Sequence, residues 1–329
     1  MSSRLAEHEV IIVGGGPAGA AAAWELTRNG VDCRILDREA FPREKLCAGW
    51  ITPEVLRDLE FQADDYPHRF LTFDTLNVSI KGLRVPFRAP QHSIRRYEFD
   101  QWLVQRSGAP VSVHNVRKIV SQQDGFLIDD AIRCRYLIGA GGTRCPVFRN
   151  IFRPLQPRIK DLQVVTQELE FPFDYADRDC HLWFFTDGLP GYSWYVPKAD
   201  GYVNVGVGGI ASKLKRKGDD IKRHWQHLVQ RLARQGLVDT PIGPPGGYSY
   251  YLRAKAEPTR HGNALVIGDA AGMATRDMCE GIGPAVRSGL LAARSICSGE
   301  AVDLAQVDRH TLPPIAHRLL DYALTGNKY

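Results

Sequence analysis

The sequence predicts a two-domain α/β fold in which a domain built on a parallel sheet is interrupted by a domain of antiparallel strands. Apolar runs typical of strands buried on both faces occur near both ends of the chain and end in glycine, while shorter β-patterns fill the middle. The length of 329 residues favours two hydrophobic cores over one. We expect the first domain to contain residues 1–67, 93–152 and 262–329, and the second to contain residues 68–92 and 153–261.

The composition excludes several classes of protein. A hydrophobic fraction of 44% and a charged fraction of 24% are ordinary for globular proteins and argue against disorder. The net charge of +5 is too small to indicate a nucleic-acid partner. The seven cysteines are scattered without a Cys-x-x-Cys pair, which argues against a disulfide framework and against a metal site, and favours a cytoplasmic protein. No apolar run approaches the roughly 20 residues that span a bilayer.

The first domain is predicted from elements at both ends of the chain. Val10–Val13 and Val31–Leu36 are expected strands around an alanine-rich helix at Ala18–Asn29, which together form a βαβ unit. A helix is expected at Arg96–Arg106, and a further buried strand at Tyr136–Ala140. Ala264–Gly268 is expected to be another buried strand, leading into an alanine- and glycine-rich helix.

The second domain is predicted to be mostly antiparallel β. A hairpin is expected around Lys81-Gly82, and a tight turn at Lys198-Ala199-Asp200-Gly201. The other predicted strands are Val164–Phe171, His181–Phe185, Tyr192–Val196 and Tyr202–Val207. Ser212–Gln235 is expected to be one basic helical segment.

A glycine-rich turn follows the first predicted strand. Gly14-x-Gly16-x-x-Gly19 has the spacing of Rossmann-type sites, in which glycines allow a tight turn and a close approach to pyrophosphate. The N-terminus of the following helix offers free N–H groups to the phosphates. Asp37 ends the next strand, where a carboxylate accepts hydrogen bonds from an adenosine ribose. These residues predict a dinucleotide site.

The C-terminal part carries a motif that resembles a flavoprotein group. Gly268-Asp269, followed by the Glu280–Gly289 segment, resembles the group of aromatic hydroxylases, flavin halogenases and geranylgeranyl reductases. The resemblance implies FAD as the cofactor, with Asp269 on its ribitol chain and the N-terminus of the next helix at the flavin pyrimidine edge. Arg96 resembles the group's arginine that reaches the flavin phosphates or ribityl chain, with an ordinary amphipathic helix as the alternative.

One motif departs from the group's pattern. Residues 138–147 resemble the motif Gly-Ala-Asp-Gly-x-x-Ser-x-Val-Arg, but Gly141 stands in place of the aspartate. The resemblance associates that aspartate with FAD and NADPH in aromatic hydroxylases. Gly141 therefore argues against fast, direct reduction by NADPH.

Two segments resemble the geranylgeranyl reductase branch of this group, Phe41 to Gly49 and Gly191 to Pro197. The resemblance puts Cys47 near the flavin ring, either as a proton donor to a reduced double bond or as a small residue packed under the ring. Tyr192, Trp194 and Val196 alternate along a strand, so they can form one wall of an apolar pocket or simply belong to the core. The loop before Glu280 lacks the reductases' Thr-Gly pair, and we expect Cys279 in that loop to approach the isoalloxazine together with Cys47.

The predicted site residues fall into two sets, and no metal ligand is expected. The expected catalytic residues are Cys47, Tyr192 and Trp194. The residues expected to bind FAD are Gly14, Gly16, Pro17, Ala18, Gly19, Asp37, Arg38, Lys45, Cys47, Ala48, Gly49, Arg96, Val116, Gly141, Gly268, Asp269, Gly281, Ile282 and Gly283.

The resemblance implies an FAD-dependent oxidoreductase that reduces C=C bonds of an apolar, isoprenoid-type substrate by hydride transfer from reduced flavin. The alternatives are a flavin-dependent monooxygenase or halogenase acting on an aromatic substrate, and a flavin-binding regulatory protein. A halogenase needs a lysine beside a tunnel from the flavin to the substrate.

The expected partners are an apolar small molecule or lipid as substrate and an electron donor, either NAD(P)H or a reduced protein carrier. The basic segment Ser212–Gln235 is either a solvated helix face or a peripheral contact with the inner face of the membrane.

Overall fold

A computed structural model describes residues 5–255, 258–300 and 304–326 of the chain. In these residues the strands are β1 (Ala6–Val13), β2 (Cys33–Asp37), β3 (Trp50–Ile51), β4 (Leu71–Ile80), β5 (Leu83–Ser93), β6 (Val111–Val113), β7 (Ile119–Gln122), β8 (Gly125–Ile128), β9 (Ile132–Gly139), β10 (Gln163–Pro172), β11 (Cys180–Phe184), β12 (Gly191–Lys198), β13 (Tyr202–Ile210), β14 (Gly246–Tyr251), β15 (Arg260–His261) and β16 (Ala264–Val266). The α-helices are α1 (Pro17–Arg28), α2 (Pro53–Asp58), α3 (Arg96–Ser107), α4 (Ala211–Arg216), α5 (Ile221–Arg234), α6 (Ile282–Ser298) and α7 (Pro314–Thr325).

The first sheet has a parallel centre. Its strand order is β15-β16-β9-β1-β2-β6, with β8 also paired to β9 and β7 paired to β8. The neighbours of β1, which are β2 and β9, both run parallel to it. The apolar run Val10–Val13 is buried because helices cover this part of the sheet, so the predicted βαβ unit is confirmed.

Helices α1 and α6 lie against each other at close range. A Cβ on Gly289 of α6 would lie 2.3 Å from the Ala18 carbonyl oxygen of α1. Only a residue without a side chain permits this approach. The contact holds the N-terminus of α1 beside the N-terminal half of α6. The two segments predicted to bind the dinucleotide therefore lie next to each other.

The second sheet is mostly antiparallel and has the order β14-β10-β13-β12-β11-β4-β5-β3. The predicted turn between β12 and β13 is present, with Asp200 and Gly201 at φ values of +59° and +72°. The expectation of a mostly antiparallel sheet is confirmed, with one exception, because β4 and β11 pair in parallel. Strands of the first sheet lie between β4 and β11 in sequence, so no hairpin joins the two strands. A long connection of this kind permits parallel as well as antiparallel pairing.

Two helical predictions need correction. The expected single helix Ser212–Gln235 is two helices, α4 and α5, because Gly218 adopts φ +63° and Asp220 caps α5 by accepting from the Lys222 N–H at 3.1 Å. The strand expected to reach Gly268 ends at Val266, and a short 3₁₀ turn replaces the start of the expected helix. The helix itself begins at Ile282.

Helix α7 was not predicted from the sequence, and it packs beside the second sheet. Its Leu320 and the preceding Leu312 contact the cluster that contains Tyr192 and Trp194. None of the helices in the described residues is long and apolar enough to cross a bilayer. The division of the chain into two domains at the expected boundaries stays a prediction.

Candidate active site

The turn from Gly14 to Gly19 joins β1 to α1. Gly14 has a φ of +109°, and a Cβ there would lie 2.5 Å from the Ala140 carbonyl oxygen. A Cβ on Gly19 would lie 1.9 Å from the Gly14 carbonyl oxygen, so both positions exclude side chains. A Cβ on Gly16 would have only the Arg43 guanidinium within 4 Å, at 3.8 Å. The turn is therefore closed toward the sheet and open at the helix N-terminus, where an anion binds.

Asp37 and Arg43 stand beside this open turn. Asp37 Oδ2 accepts from the Gly15 N–H at 2.8 Å, and an Arg43 Nη2 lies 3.5 Å from the same oxygen. Arg43 Nη1 also lies 3.5 Å from Asp100. The Nε of Arg43 is buried and has no hydrogen-bond partner among the residues that the structure describes. Arg43 is absent from the predicted site, although the motif Phe41-Pro42-Arg43 contained it.

Arg96 lies at the start of α3 in a buried ion pair. Its Nε and Nη2 donate to the two carboxylate oxygens of Asp100 at 2.6 and 2.8 Å. The guanidinium also contacts the Cys47 thiol. Burial disfavours the charged guanidinium, but Asp100 outweighs it, and the pKa of Arg96 lies above its usual value. The contact between Arg96 and FAD that the resemblance implies would use the N–H groups not bonded to Asp100, and it stays a prediction.

The segment Cys47–Gly49 is held to the second sheet through its carbonyl groups. Asn204 Nδ2 donates to the Cys47 carbonyl at 3.2 Å. Lys198 Nζ donates to the carbonyls of Gly49 at 2.8 Å and Ile94 at 2.9 Å, and also to the carbonyl of Ala48. All three ammonium hydrogens are thus used. Burial lowers the pKa of Lys198 to about 8.

Lys45 connects this segment to the Gly268-Asp269 turn. Its Nζ lies 3.2 Å from the centre of the Tyr248 ring. The Tyr248 hydroxyl lies 3.2 Å from Asp269 Oδ2 and donates to it. Burial, followed by the charge of Arg96, lowers the pKa of Lys45. Tyr248 was missed because the short strand β14, in which it follows Gly246 and Gly247, was not recognised.

The Gly268-Asp269 turn lies against the N-terminus of α6. Asp269 Oδ1 is 3.5 Å from the position of a Cβ on Gly281, the residue before the helix. Glu280 Oε1 accepts from the Gly283 N–H at 3.2 Å. Asp269, Gly281, Ile282 and Gly283 are therefore brought together, and the positive end of the α6 dipole lies beside them.

The other predicted cofactor residues have more varied surroundings. Pro17 and Ala18 begin α1 and are buried, and Val116 is buried in the core of the first sheet. Gly141 is exposed, in the turn that packs against Cys145. The Arg38 side chain is 65% exposed and pairs with Glu39 at 2.8 Å. Their cofactor roles stay predictions.

An aromatic cavity opens on β12. It is small, with a volume of about 10 Å³, and Tyr192, Trp194, Tyr250 and Cys279 are among its lining residues. The Tyr192 hydroxyl donates to the Met278 carbonyl, and Trp194 Nε1 to Asn204 Oδ1, each at 2.7 Å. Val196, expected on the same wall, belongs to the buried cluster with Leu182 and not to the lining. The cavity wall therefore contains Tyr192 and Trp194 but not Val196, although the alternation of side chains along the strand puts all three on one face.

Cys279 reaches this cavity from a left-handed backbone conformation. Its φ is +57°, a region where residues other than glycine are uncommon. Glycine would adopt this conformation without a steric cost. Burial raises the pKa of Cys279 to about 12. Tyr192 and Tyr250 line the same cavity as Cys279. The approach of Cys47 and Cys279 to the flavin stays a prediction.

Glu168 is a further residue of this region that the sequence did not indicate. It lies on β10 opposite Gly206 of β13, with a relative exposure of 2%. Burial raises its pKa to about 7, against the opposing effects of Lys45 and Asn204. The burial of Glu168 could not be predicted from the sequence, because a glutamate in a strand is ordinarily exposed to solvent.

The residues present fit FAD. The closed glycine turn, the cation Arg43 with a buried free N–H, and the carboxylate Asp37 would hold the pyrophosphate and the ribose. Asp269 and the α6 N-terminus would hold the ribitol chain and the pyrimidine edge. The aromatic cavity and Cys47 lie where these two groups of residues meet the second sheet.

Comparisons with known proteins agree with this reading. Residues 7–61 match the family described as FAD binding domain. A Methanosarcina barkeri protein is 30% identical over 89% of this chain and 76% of its own length. A menaquinone reductase of Mycobacterium tuberculosis is 29% identical over 91% and 78% of the two chains. Digeranylgeranylglycerophospholipid reductase 2 of Methanosphaera stadtmanae is 24% identical over 90% and 80%.

Solved structures share the fold. A geranylgeranyl bacteriochlorophyll reductase-like protein of Thermoplasma acidophilum superposes with a TM-score of 0.75 at 16% identity, over 90% of this chain and 79% of that chain. A myxobacterial chondrochloren halogenase superposes with a TM-score of 0.70 at 18% identity, over 90% and 76%.

Proposed function

Because the chain belongs to the geranylgeranyl reductase family of FAD-dependent flavoproteins, we propose that it reduces C=C bonds in an apolar, isoprenoid-bearing substrate. The protein is an FAD-dependent oxidoreductase. The observation that supports the proposal most is the aromatic cavity of Tyr192 and Trp194 beside the Cys47 segment. Such a wall binds a flat, apolar group and excludes water from it.

The chain's own residues account for most of what such a reaction requires. Bound FAD supplies the hydride. In this proposal Cys47 Sγ, which lies beside the Arg96 guanidinium, donates the proton to a substrate carbon. Asn204 joins Trp194 to the Cys47 carbonyl, so it fixes the aromatic wall relative to the thiol. Tyr192 and Trp194 orient the substrate in this proposal.

The relatives indicate the substrate class. Their names specify menaquinone and digeranylgeranylglycerophospholipids, and both kinds of molecule combine a polar head with isoprenoid chains. We propose the same class for this chain, with residues 68–92 and 153–261 as the substrate domain. We also keep NAD(P)H or a reduced protein carrier as the proposed electron donor. Gly141 favours the carrier.

A lipid substrate would require contact with a membrane surface. Ile315, Leu319 and Tyr322 follow one another along one exposed face of α7, with exposures of 81%, 68% and 67%. Lys213 of the basic helix α4 donates to the Ala323 carbonyl of α7 at 2.8 Å. Basic and apolar groups side by side support our proposal of peripheral binding to the inner face of the membrane.

An anaerobic reoxidation experiment tests the proposed function. The FAD-loaded protein is reduced with dithionite, and the flavin spectrum is followed after adding menaquinone or digeranylgeranylglycerol phospholipid without oxygen. We expect reoxidation by one of these lipids and a product in which one isoprenoid C=C bond has gained two hydrogens. No reoxidation by either lipid, together with a transient peroxyflavin absorbance on adding oxygen, would favour a monooxygenase or halogenase. The buried Lys198 fits a halogenase poorly, because its three N–H groups are all bound to carbonyls.

A further inference from the structure

Glu168 is a buried carboxylate that the fold leaves incompletely satisfied. The residue is 2% exposed, and its Oε2 has no hydrogen-bond partner among the described residues. A buried carboxylate oxygen without a partner is costly, so natural proteins seldom retain one without a use for it. Its neighbour across the sheet, Gly206, leaves room only for the Trp194 ring and the Glu168 side chain.

Three charged groups and one amide from four parts of the structure act on Glu168. Lys45 lies in the loop after β2, Arg96 at the start of α3, and Lys198 at the end of β12. Asn204 of β13 hydrogen-bonds to the carboxylate and also donates to the Cys47 carbonyl. These groups stabilise the carboxylate, while burial opposes it. The balance leaves the pKa of Glu168 at about 7.

The same groups belong to the predicted flavin site. Lys45 stacks on Tyr248, which binds Asp269, and Arg96 contacts Cys47. Negative charge added to the site on reduction therefore competes with Glu168 for the same cations. Like charges that share an enclosed site disfavour the ionised form of a carboxyl group.

We propose that Glu168 takes up a proton when the bound FAD is reduced and releases it on reoxidation. The inference rests on the proposed function for its redox partner. In the reduction, a two-electron donor is oxidised, two electrons and one proton go to the cofactor, and a second proton goes to Oε2 of Glu168. On reoxidation by an alkene, a hydride and the Cys47 proton add to the two carbons, and the proton stored on Glu168 returns to Cys47 Sγ. Charge and atoms balance in each half-reaction.

A redox titration at several pH values tests this inference. The midpoint potential of the FAD-loaded protein is determined by titration with dithionite at several pH values above the pKa of Glu168, which is about 7. From the pH dependence of the potential we expect the wild type to take up two protons with each pair of electrons, and Glu168→Gln to take up one. Glu170→Gln is the matched control, because Glu170 lies on the same face of β10 but pairs with Arg95 at 2.8 Å near the surface. It should behave as the wild type.

Equal proton counts in the wild type and Glu168→Gln would overturn the inference. If Glu168→Gln does not retain FAD, the reduced-minus-oxidised infrared difference spectrum of the wild type decides instead. A protonated carboxyl band that appears on reduction at about pH 7.5 and moves with ¹³C-glutamate labelling supports the proposal, and its absence refutes it. Neither readout requires an alkene, so failure here is distinguishable from failure of the proposed function.

Discussion

Lys198 and Glu168 are both buried in the second sheet, but only Lys198 has every polar atom engaged. Lys198 places its ammonium among three carbonyls, including that of Gly49, whereas Glu168 keeps one oxygen without a partner in the described structure. Burial therefore shifts the pKa of Glu168 upward, to about 7 from 4.5. A carboxyl group whose folded-state pKa is raised stabilises the fold at low pH and loses that contribution as pH rises through the folded-state value.

For Glu168→Gln we expect a flatter dependence of stability on pH. The wild type loses up to roughly 3 kcal/mol between about pH 4.5 and above pH 7 through this group, because one pKa unit is worth about 1.4 kcal/mol. The glutamine variant does not titrate, so it should be the more stable protein at about pH 8. Urea unfolding of both proteins at matched pH values measures the difference. An identical pH dependence would contradict the raised pKa.

Gly206 is a second residue whose environment makes a sharp prediction. A Cβ there would lie 2.2 Å from the Trp194 indole, which covers the glycine. Gly206→Ala should displace the ring, cost about 1–3 kcal/mol of stability and change the tryptophan fluorescence. Gly247→Ala is the control, since the nearest atom to its Cβ is the Thr166 carbonyl oxygen at 3.8 Å. A Gly206→Ala protein as stable as the control variant would contradict the packing described.

Some of these residues could be predicted from sequence and others could not. Gly14, Asp37 and Asp269 sit in motifs whose spacing is set by local backbone geometry, so the sequence indicates them. Asn204 contacts the Cys47 carbonyl across 157 positions of sequence, and Lys198 contacts Ala48 across 150. Contacts of that kind depend on how the two sheets meet, which no local pattern encodes.

At the scale of elements, α7 depends on one buried ion pair. Arg276 Nε lies 2.9 Å from Asp321 Oδ2, and the two side chains are 3% and 8% exposed. The helix contributes Leu324 to the cavity lining, so the ion pair holds one side of the proposed substrate site in place. The sequence did not predict α7, because its apolar residues lie on two faces and give no single stripe.

Asp321→Asn should leave the Arg276 charge buried without a counter-charge and weaken α7 by about 3–5 kcal/mol. We expect faster proteolysis and faster amide exchange within residues 314–325 than in the rest of the chain. Asp308→Asn is the control, because its side chain is 64% exposed where it pairs with Arg287, and such pairs contribute about 0–1 kcal/mol. Unchanged protection of α7 in Asp321→Asn would contradict this role.

At the scale of the whole molecule, FAD would join segments that are far apart in sequence. The glycine turn and Arg43 come from the N-terminal part, and Asp269 and α6 from the C-terminal part. The alternation of strand patterns along the chain predicted this arrangement of two sheets. The strands that escaped prediction are β3, β6, β7, β8, β14 and β15, because their few residues show no period.

Arg43→Met tests the N-terminal half of this arrangement. Removing a charged donor beside the pyrophosphate should weaken FAD binding about tenfold or more, because hydrogen bonds to charged groups contribute about 1.5–3 kcal/mol. The rise of the melting temperature on adding FAD should shrink accordingly. The exposed Arg149 supplies the control, and Arg149→Met should bind FAD as the wild type does. Equal affinity in both variants would remove Arg43 from the site.

Isotope incorporation tests the central claim most directly. The FAD-loaded protein, reduced in D₂O without oxygen, is given menaquinone or digeranylgeranylglycerol phospholipid, and the lipid is analysed by mass spectrometry. Hydride transfer from the flavin and protonation from the protein predict two deuterium atoms on adjacent carbons of a former double bond. A lipid recovered with its double bonds intact, while the flavin is reoxidised only by oxygen, would contradict the account.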